Sequence, residues 1–419
     1  MKFFTRSQFL TVIVLTYLSV ATSLRAQETT TTWPQWRGPD RDCKVSGPQW
    51  PDSLTEDNFK KSWQVDLDPS YSGPIVSGNR VYVTETRDKQ DEVVRALDRS
   101  TGREIWQKKW AGSMTVPFFA SSNGSWIRST PALDGNRLYV AGMRDVLTCL
   151  NAENGDIIWQ VDFAERFNSR IPSFGCVSSP LIDNDHVIIQ AGSGVVKLDK
   201  YTGKTIWRSF VDAGGMYGSA FSSPTIATIN GKRQLVVQTR KEIAGADLRS
   251  GKKLWSQEIP AFRGMNILTP TMIKGYVFTS SYGGASFLYN VKNANENQTP
   301  ELQWKNKVQG YMSSPVVFEG HVYLHLKNQR FACIDIATGK ECWISSPYGK
   351  YWSMVIQGDR ILALDERGDL MLIHANPKKF ELLSTQHITD DPAWAHLAVC
   401  NNEIFIRSLK SQMAFRWKD

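Results

Sequence analysis

Cysteine and histidine are scarce in this chain, and neither residue type falls into a spacing that marks a known site. The 419 residues include six of each. No Cys-x-x-Cys-His segment and no zinc-ligand spacing occurs, which excludes c-type haem attachment and the common structural zinc sites. The cysteines are too irregularly spaced in too long a chain for a disulfide-stapled scaffold. They are Cys43, Cys149, Cys176, Cys333, Cys342 and Cys400.

The sequence also lacks the motifs of nucleophilic and phosphate chemistry. It has no Gly-x-Ser-x-Gly elbow and no phosphate-binding glycine loop. His321 and His325 alternate with Tyr323 along one face of a predicted strand. The tyrosine between them separates the two imidazoles too widely for a shared metal ion. We therefore expect no catalytic residues and no metal site.

Neither charge sign dominates, and long apolar runs are confined to the beginning of the chain. Lys and Arg number 49 against 41 Asp and Glu, a formal charge of +8. This modest, unclustered excess does not indicate a nucleic-acid partner. Residues 1–26 predict a signal peptide, because Lys2 and Arg6 precede an apolar stretch that ends at a plausible cleavage site after Ala26. An uncleaved anchor is the alternative.

Export sets several further expectations. After cleavage we expect a periplasmic or secreted protein without a transmembrane segment. No cysteine lies at the cleavage region, so a lipid anchor is not expected there. The predicted organisation is a signal peptide at 1–26, a lead-in segment at 27–58 and one repeat domain at 59–419.

A turn of the form Asp-x-x-Thr-Gly-x-x-x-Trp recurs along the chain. Steps of about 50 residues between copies are typical of propellers, solenoids and arrays. The aspartate can accept hydrogen bonds from the following backbone, and the glycine provides the positive φ of a tight turn. The five copies, one of which begins with asparagine, occupy residues 98–106, 151–159, 199–207, 247–255 and 335–343.

Each unit reads as four short strands. The first strand follows a proline, and a Gly/Asn/Asp turn connects it to a second strand rich in β-branched residues. The third strand runs into the recurrent turn, and the fourth strand, after that turn, carries the tryptophan. Such units stack into an all-β propeller, with the tryptophan filling the space between neighbouring blades. The leading prolines are Pro74, Pro131, Pro180, Pro224, Pro270 and Pro315.

We count eight blades, with seven as the alternative. The last blade, from about Trp394, has only three strands of its own, and the strand around Trp63 is predicted to complete it. Closing the ring in this way pairs two edges that would otherwise stay open, and it favours a monomer. The predicted inter-blade tryptophans are Trp63, Trp106, Trp159, Trp207, Trp255, Trp304 and Trp343.

The turn and tryptophan pattern from residue 63 onward resembles the repeat of the pyrroloquinoline-quinone (PQQ)-like propeller family. That family includes quinoprotein alcohol dehydrogenases and the propeller lipoprotein of the bacterial β-barrel assembly machinery. The resemblance implies the fold but leaves the function open, because propellers of the same fold have many unrelated functions. The dehydrogenases place two adjacent cysteines against their cofactor, and this chain has no such pair.

One candidate site is a basic rim. Cations recur at nearly the same position after the second strand of six units, where they would attract an anionic ligand or acidic partner. Solvated hairpin residues with acidic neighbours are the alternative. The rim candidates are Arg87, Arg144, Lys241, Lys327, Arg367 and Lys410.

The second candidate site lies in the loops that lead into the proline-led strands. Aromatic rings with a few polar groups are the usual lining of a binding pocket, although the same rings could simply plug the axis. The candidates are Arg128, Phe221, Tyr311, Tyr351, Trp352 and Trp394. The aromatic lead-in segment is expected to pack on the propeller, with a binding edge as the alternative.

The expected function is therefore that of an exported, non-catalytic propeller that binds a protein partner or a small anionic ligand. A PQQ-dependent dehydrogenase and a carbohydrate-binding or carbohydrate-acting propeller are the alternatives. No cofactor is expected, but PQQ with calcium stays open. Asp365 and Asn266 are the candidate calcium ligands in that case.

Overall fold

We describe a computed structural model of the chain that covers residues 30–218, 221–292, 294 and 298–418. The predicted signal peptide lies outside these residues, and the lead-in segment is described from Thr30 onward. No helix in the described part of the chain is long and apolar enough to cross a bilayer.

Thirty-two strands make up the fold within the residues that the structure describes. The first half of the chain contains β1 Phe59–Asp66, β2 Ile75–Ser77, β3 Arg80–Arg87, β4 Asp91–Asp98, β5 Glu104–Ala111, β6 Ala132–Asp134, β7 Arg137–Ala141, β8 Val146–Asn151, β9 Ile157–Asp162, β10 Leu181–Asp183, β11 His186–Gln190, β12 Val195–Asp199, β13 Thr205–Ser209, β14 Thr225–Ile229, β15 Lys232–Gln238, β16 Glu242–Asp247 and β17 Lys253–Glu258. The second half contains β18 Thr271–Ile273, β19 Tyr276–Ser280, β20 Ser286–Asn290, β21 Glu301–Asn306, β22 Val316–Phe318, β23 His321–His325, β24 Arg330–Asp335, β25 Glu341–Pro347, β26 Trp352–Gln357, β27 Arg360–Asp365, β28 Asp369–His374, β29 Glu381–His387, β30 Ala398–Cys400, β31 Glu403–Arg407 and β32 Ser411–Trp417.

These strands form eight antiparallel four-stranded sheets, so the prediction of an eight-bladed propeller is confirmed and the seven-bladed alternative is wrong. Blades 1 to 7 take strands β2–β5, β6–β9, β10–β13, β14–β17, β18–β21, β22–β25 and β26–β29 in order from the axis outward. The second and third strands are almost wholly buried because blades cover both of their faces, whereas outer strands such as β5 alternate between buried and exposed residues.

The eighth blade joins the beginning of the repeat domain to its end, as predicted. Its order is β30, β31, β32 and β1 from the axis outward. Strand β1 pairs with β32 from Phe59 opposite Trp417 to Asp66 opposite Ser411, with one bulge between Lys61 and Trp63. The stacked rings of Phe59 and Phe415, 5.0 Å apart, add an apolar contact across this seam.

Short helices occur only in loops between consecutive blades within the described residues. The helix α1 spans Phe163–Phe167, and Asp162 caps it by accepting the backbone N–H of Glu165 at 3.0 Å. The 3₁₀ turns span Phe118–Asn123, Gly215–Tyr217 and Phe262–Gly264. The sequence pattern predicts none of these helices because the segments are too short to show a helical period.

Outer-strand tryptophans link most blades to the next. Six of the seven candidates donate their indole N–H to a backbone carbonyl in the recurrent turn, or its equivalent, of the following blade, at 2.7 to 3.3 Å. At the seam, Trp63 donates to Arg99, and its ring packs on Gly102, where a Cβ atom would lie 2.7 Å away. Only glycine therefore fits this turn, both for its φ of +73° and for its space.

Trp255 differs because the next blade carries an Asn-rich insertion in place of the turn. Its indole donates instead to Gln234 Oε1 of its own blade at 3.0 Å, and its backbone forms a parallel bridge with Gln298 in the insertion. The ring is nevertheless 1% exposed, so it still fills the space between the blades.

Buried carboxylates also connect neighbouring blades near the loops that lead into the first strands. Glu92 of blade 1 accepts the backbone N–H of Met143 in blade 2 and the indole N–H of Trp110. Asp145 of blade 2 accepts the backbone N–H of Gly192 in blade 3 at 2.6 Å. Burial raises the pKa of Glu92 to about 7 and that of Asp145 to about 6, although the backbone hydrogen bonds oppose the shift.

The raised pKa of Glu92 predicts a loss of stability as the pH rises. The folded state retains the proton up to about pH 7, whereas a glutamic acid in the unfolded chain has its ordinary pKa of 4.5 and releases the proton there. The free energy of unfolding should therefore fall between those two pH values, by about 3 kcal/mol for this group. The Glu92→Gln variant has no titratable group at this position. The difference between its free energy of unfolding and that of the wild type should therefore shift in favour of the variant by that amount between pH 4 and pH 8.

Denaturant titrations at the two pH values measure this difference. The matched control is Glu153→Gln, at an exposed carboxylate, which should show no such change. An equal offset of Glu92→Gln from the wild type at both pH values would contradict the assignment.

Candidate functional site

A cavity of about 710 Å³ lies at one end of the ring axis. We call it the funnel cavity. Every blade contributes to its wall, through the loops that lead into the first strands and through the residues at the start of those strands. The cavity therefore exists only because the ring is closed.

Hydroxyl groups just before the first strands bind neighbouring blades together at the neck of the cavity. Thr130 N–H donates to Ser179 Oγ at 3.0 Å, and Ser179 N–H donates to Ser223 Oγ at 2.9 Å. Ser223 N–H continues the series to Thr269 Oγ1 at 3.1 Å. The serines and threonines that precede the leading prolines thus fix the relative positions of the loops that carry the wall residues.

Aromatic side chains form two arcs around the cavity, which we call the aromatic belt. Neighbouring ring centroids are 4.2 to 6.1 Å apart, a range in which aromatic pairs attract. One arc contains Tyr71, Trp394, Tyr351, Tyr311, Tyr282 and Phe262. The other contains Phe118, Phe119, Phe174 and Phe221.

Arginines occupy the gaps between the arcs. The guanidinium of Arg128 lies 5.5 Å from the ring centroid of Tyr71, and that of Arg240 lies 5.6 Å from that of Phe221. Arg240 also donates to the carbonyl of Arg263, whose own guanidinium lies 5.1 Å from the ring of Phe262. All three arginines belong to the wall, whereas the described wall includes no aspartate or glutamate. The wall is therefore apolar with a net positive charge.

The tyrosines of the wall are neutral at physiological pH. Burial raises the pKa of Tyr71, Tyr311 and Tyr351 to about 12 in each case. Their hydroxyl groups can therefore donate hydrogen bonds, and each ring offers an uncharged apolar face.

The lead-in segment closes the axis beneath the cavity. Arg37 donates to the carbonyl of Pro315 at 2.9 Å, and Arg41 donates to that of Pro180 at 2.7 Å. These two carbonyls belong to blades 6 and 3. Trp36 lies between the two guanidinium groups, 5.5 Å from each, and is part of the cavity wall. The segment therefore packs as expected and also supplies the floor.

Cys43 lies beneath the floor beside His396, which is itself part of the cavity wall. The Cys43 sulfur is 2.7 Å from Arg37 Nε and 3.4 Å from His396 Nε2. Burial lowers the pKa of His396 to about 4 and raises that of the Cys43 thiol. Both groups are therefore uncharged at neutral pH, so the positive charge of the floor comes from the arginines. All six cysteines are free thiols.

The structure brings half of the candidate site residues together. Six of the twelve line the funnel cavity, namely Arg128, Phe221, Tyr311, Tyr351, Trp352 and Trp394. The six rim candidates lie at the end of a second strand or in the turn that follows it, and none of them belongs to the cavity wall. Arg87 is ion-paired with Asp68 at 3.0 Å and with Glu85, so its charge is largely neutralised. Lys327 lies 4.4 Å from the ring of Tyr282 and so supports the belt from outside.

The sequence patterns did not identify several residues of the cavity wall. Arg263 and Phe119 belong to loop insertions that follow no repeat consensus, and Trp36 reaches the axis from outside the repeats. Tyr71 stands before the Pro-led strand of blade 1, the same position that identified the other aromatics, so this signal could have found it.

The side chains present do not fit a calcium–quinone pair. Calcium prefers several oxygen ligands, carboxylates above all. Asp365 instead accepts the backbone N–H groups of Gly349 and Arg367 and the indole N–H of Trp352. Asn266 is 1% exposed and donates to the backbone carbonyls of Arg240 and Ile259. No group of three or more potential metal ligands occurs in the described residues.

Known proteins share both the sequence pattern and the ring. Outer membrane protein assembly factor BamB from Yersinia pestis is 22% identical over 286 residues, which cover 66% of this chain and 66% of that protein. The crystal structure of BamB from Moraxella catarrhalis superposes with a TM-score of 0.63 at 16% identity, covering 86% of this chain and 98% of that one. Quinohemoprotein alcohol dehydrogenase from Comamonas testosteroni gives a TM-score of 0.69 at 15% identity, covering 94% and 81%.

The structural matches, at these low identities, show a shared fold. The sequence match goes further, because the family model described as outer membrane protein assembly factor BamB matches residues 89–345, more than half of the chain. The resemblance to the PQQ-like propellers is confirmed, and the chain belongs to the BamB family of that fold.

Proposed function

We propose that this chain is an exported, non-catalytic propeller that binds a protein partner at the face containing the funnel cavity. The observation that carries the proposal is the continuity between the cavity and a set of exposed apolar side chains around its mouth. A small ligand would need only the enclosed wall, whereas a protein would also cover the mouth.

The phenylalanines at the cavity mouth are exposed to solvent, as expected for a surface that a protein partner covers. Phe118 and Phe119 are 88% and 56% exposed, and Phe262, across the cavity mouth, is 48% exposed. Large apolar residues at such exposure are costly to leave in water, and they mark interaction surfaces when they cluster. The aromatic belt connects them to the buried wall, so a partner could contact the mouth and insert a segment into the cavity.

Membership of the BamB family supports a role as a binding protein. The relatives are named as assembly factors for outer membrane proteins. We propose a corresponding location in the periplasm and a partner that is itself a protein of the cell envelope. A small anionic ligand is the competing occupant, and it would require no contact at the mouth.

Cross-linking tests whether a protein covers the mouth. A photoactivatable phenylalanine analogue in place of Phe118 should yield a defined adduct with a partner protein in intact cells, because this side chain projects from the mouth. The matched control replaces Tyr201, which is 44% exposed in a turn at the opposite end of the ring. Adducts should be identified by mass spectrometry.

A partner captured from Phe118 alone supports the funnel face. Equal capture of the same protein from Tyr201, or capture from neither position, contradicts it. A second experiment tests the basic rim. The double variant Arg144→Glu, Arg367→Glu should weaken the Phe118 adduct only if the rim cations contact the partner.

The dehydrogenase alternative makes a distinct prediction. Because the wall offers no carboxylate for a metal ion, titration with PQQ and calcium should leave the quinone absorbance unchanged. Dye-coupled oxidation of alcohols should stay at the rate of a protein-free control. Saturable, calcium-dependent absorbance changes with alcohol oxidation would contradict the non-catalytic assignment.

A further inference from the structure

We propose that Arg128, Tyr71 and Tyr351 form a carboxylate-binding site in the wall of the funnel cavity, and that the inserted partner segment presents a carboxylate there. This inference rests on the proposed function and names the chemistry of the segment that the cavity accepts.

Arg128 has donor capacity that the protein does not use. Its Nη2 donates to the carbonyl of Gly124 at 2.8 Å, whereas its Nε is buried without a hydrogen-bond partner. Across the described residues, no carboxylate lies within ion-pairing distance of this guanidinium. A guanidinium carries five N–H donors in a planar fork that matches a carboxylate. A cation held in this way inside an apolar wall is stabilised by an incoming anion.

Two phenols add donors beside the guanidinium. Tyr71 and Tyr351 line the cavity, and the guanidinium of Arg128 lies 5.5 Å from the ring centroid of Tyr71. Both tyrosine rings contact Trp394, with centroids 4.4 and 4.2 Å apart, so the three groups share one part of the wall. Neither hydroxyl has a hydrogen-bond partner in the part of the chain that the structure describes. A carboxylate at this position would therefore meet one cation and two neutral O–H donors, which together satisfy its acceptor sites.

One acidic residue lies beside Tyr351. The backbone N–H of Glu366 donates to the carbonyl of Tyr351 at 2.9 Å. Its Oε1 accepts the backbone N–H of Lys350 at 2.8 Å, and the residue is not part of the cavity wall. Arg128 is thus the charged group that faces the cavity at this point, and the sign of the local site is positive.

The neighbouring surface selects the kind of anion. Tyr71 stacks on Trp394 at 4.4 Å, and Trp394 meets Tyr351 edge-on at 4.2 Å, which leaves an apolar aromatic surface beside the guanidinium. One guanidinium neutralises one negative charge. A phosphate dianion would leave an uncompensated charge against these rings, which is unfavourable. A carboxylate next to an apolar side chain of a peptide fits both features.

Such a carboxylate has two sources in a peptide, the free C-terminus or an Asp or Glu side chain. Three N-acetylated hexapeptides with one shared phenylalanine distinguish them. The first ends in a free carboxylate, the second ends in an amide, and the third ends in an amide but contains one internal glutamate. Binding to the full chain is followed by calorimetry and by the fluorescence of the wall tryptophans.

We expect one carboxylate peptide, or both, to bind at least about 10-fold more tightly than the uncharged amide, as a charge-assisted hydrogen bond typically gives. Arg128→Met should abolish this difference, and Arg128→Lys should restore part of it, because lysine keeps the charge without the planar fork. The matched control Arg103→Met removes an exposed guanidinium at the opposite end of the ring and should preserve the difference. Thermal unfolding checks that each variant folds.

Equal affinity of all three peptides for the wild type, or a preference that survives Arg128→Met, would overturn the inference. Absence of binding by every peptide would overturn it too. The Phe118 cross-link is measured with Arg128 intact, so a persistent adduct in either case would retain the funnel face as the partner surface while removing the carboxylate site.

Discussion

The hydrogen bonds between β1 and β32 are the constraint on which the rest of the structure depends. They join the beginning of the repeat domain to its end, from Phe59 to Asp66 along one strand. Without this pairing both strands would present open edges, and the first and last blades would be free to separate. Indole and hydroxyl hydrogen bonds between blades then fix each sheet relative to the next, so we expect the ring to unfold as one cooperative unit.

The funnel cavity is a consequence of this closure. Its wall is assembled from single residues or short segments of all eight blades. The repeats supply the scaffold, the neck and the position before each first strand that carries much of the aromatic belt, whereas loop insertions outside the repeat consensus add Phe119 and Arg263. The lead-in segment seals the opposite side through Arg37 and Arg41. What results is a one-ended, apolar and positively charged site suited to binding.

Sequence reasoning captured the parts of the structure that are local and repeated. Trp63 could be assigned to the last blade because the repeat lacked one strand at one end and had one to spare at the other. Arg128 and Trp394 were found because they share a position before the first strands. The placement of Trp36 on the axis could not be predicted, since it depends on contacts with blades that are distant in the sequence. The neutralisation of the Arg87 charge could not be predicted either, because it depends on the side-chain geometry of Glu85 and Asp68.

Native-state hydrogen exchange tests the closed ring most directly. The amides that link β32 to β1 should be compared with those that link β8 to β9, the corresponding strands of a blade formed by one continuous stretch of chain. If closure is cooperative, both sets exchange only through global unfolding and show the same protection. Much faster exchange at the β1–β32 pair, with β8 and β9 still protected, would show that the ring opens at its seam and would contradict the account.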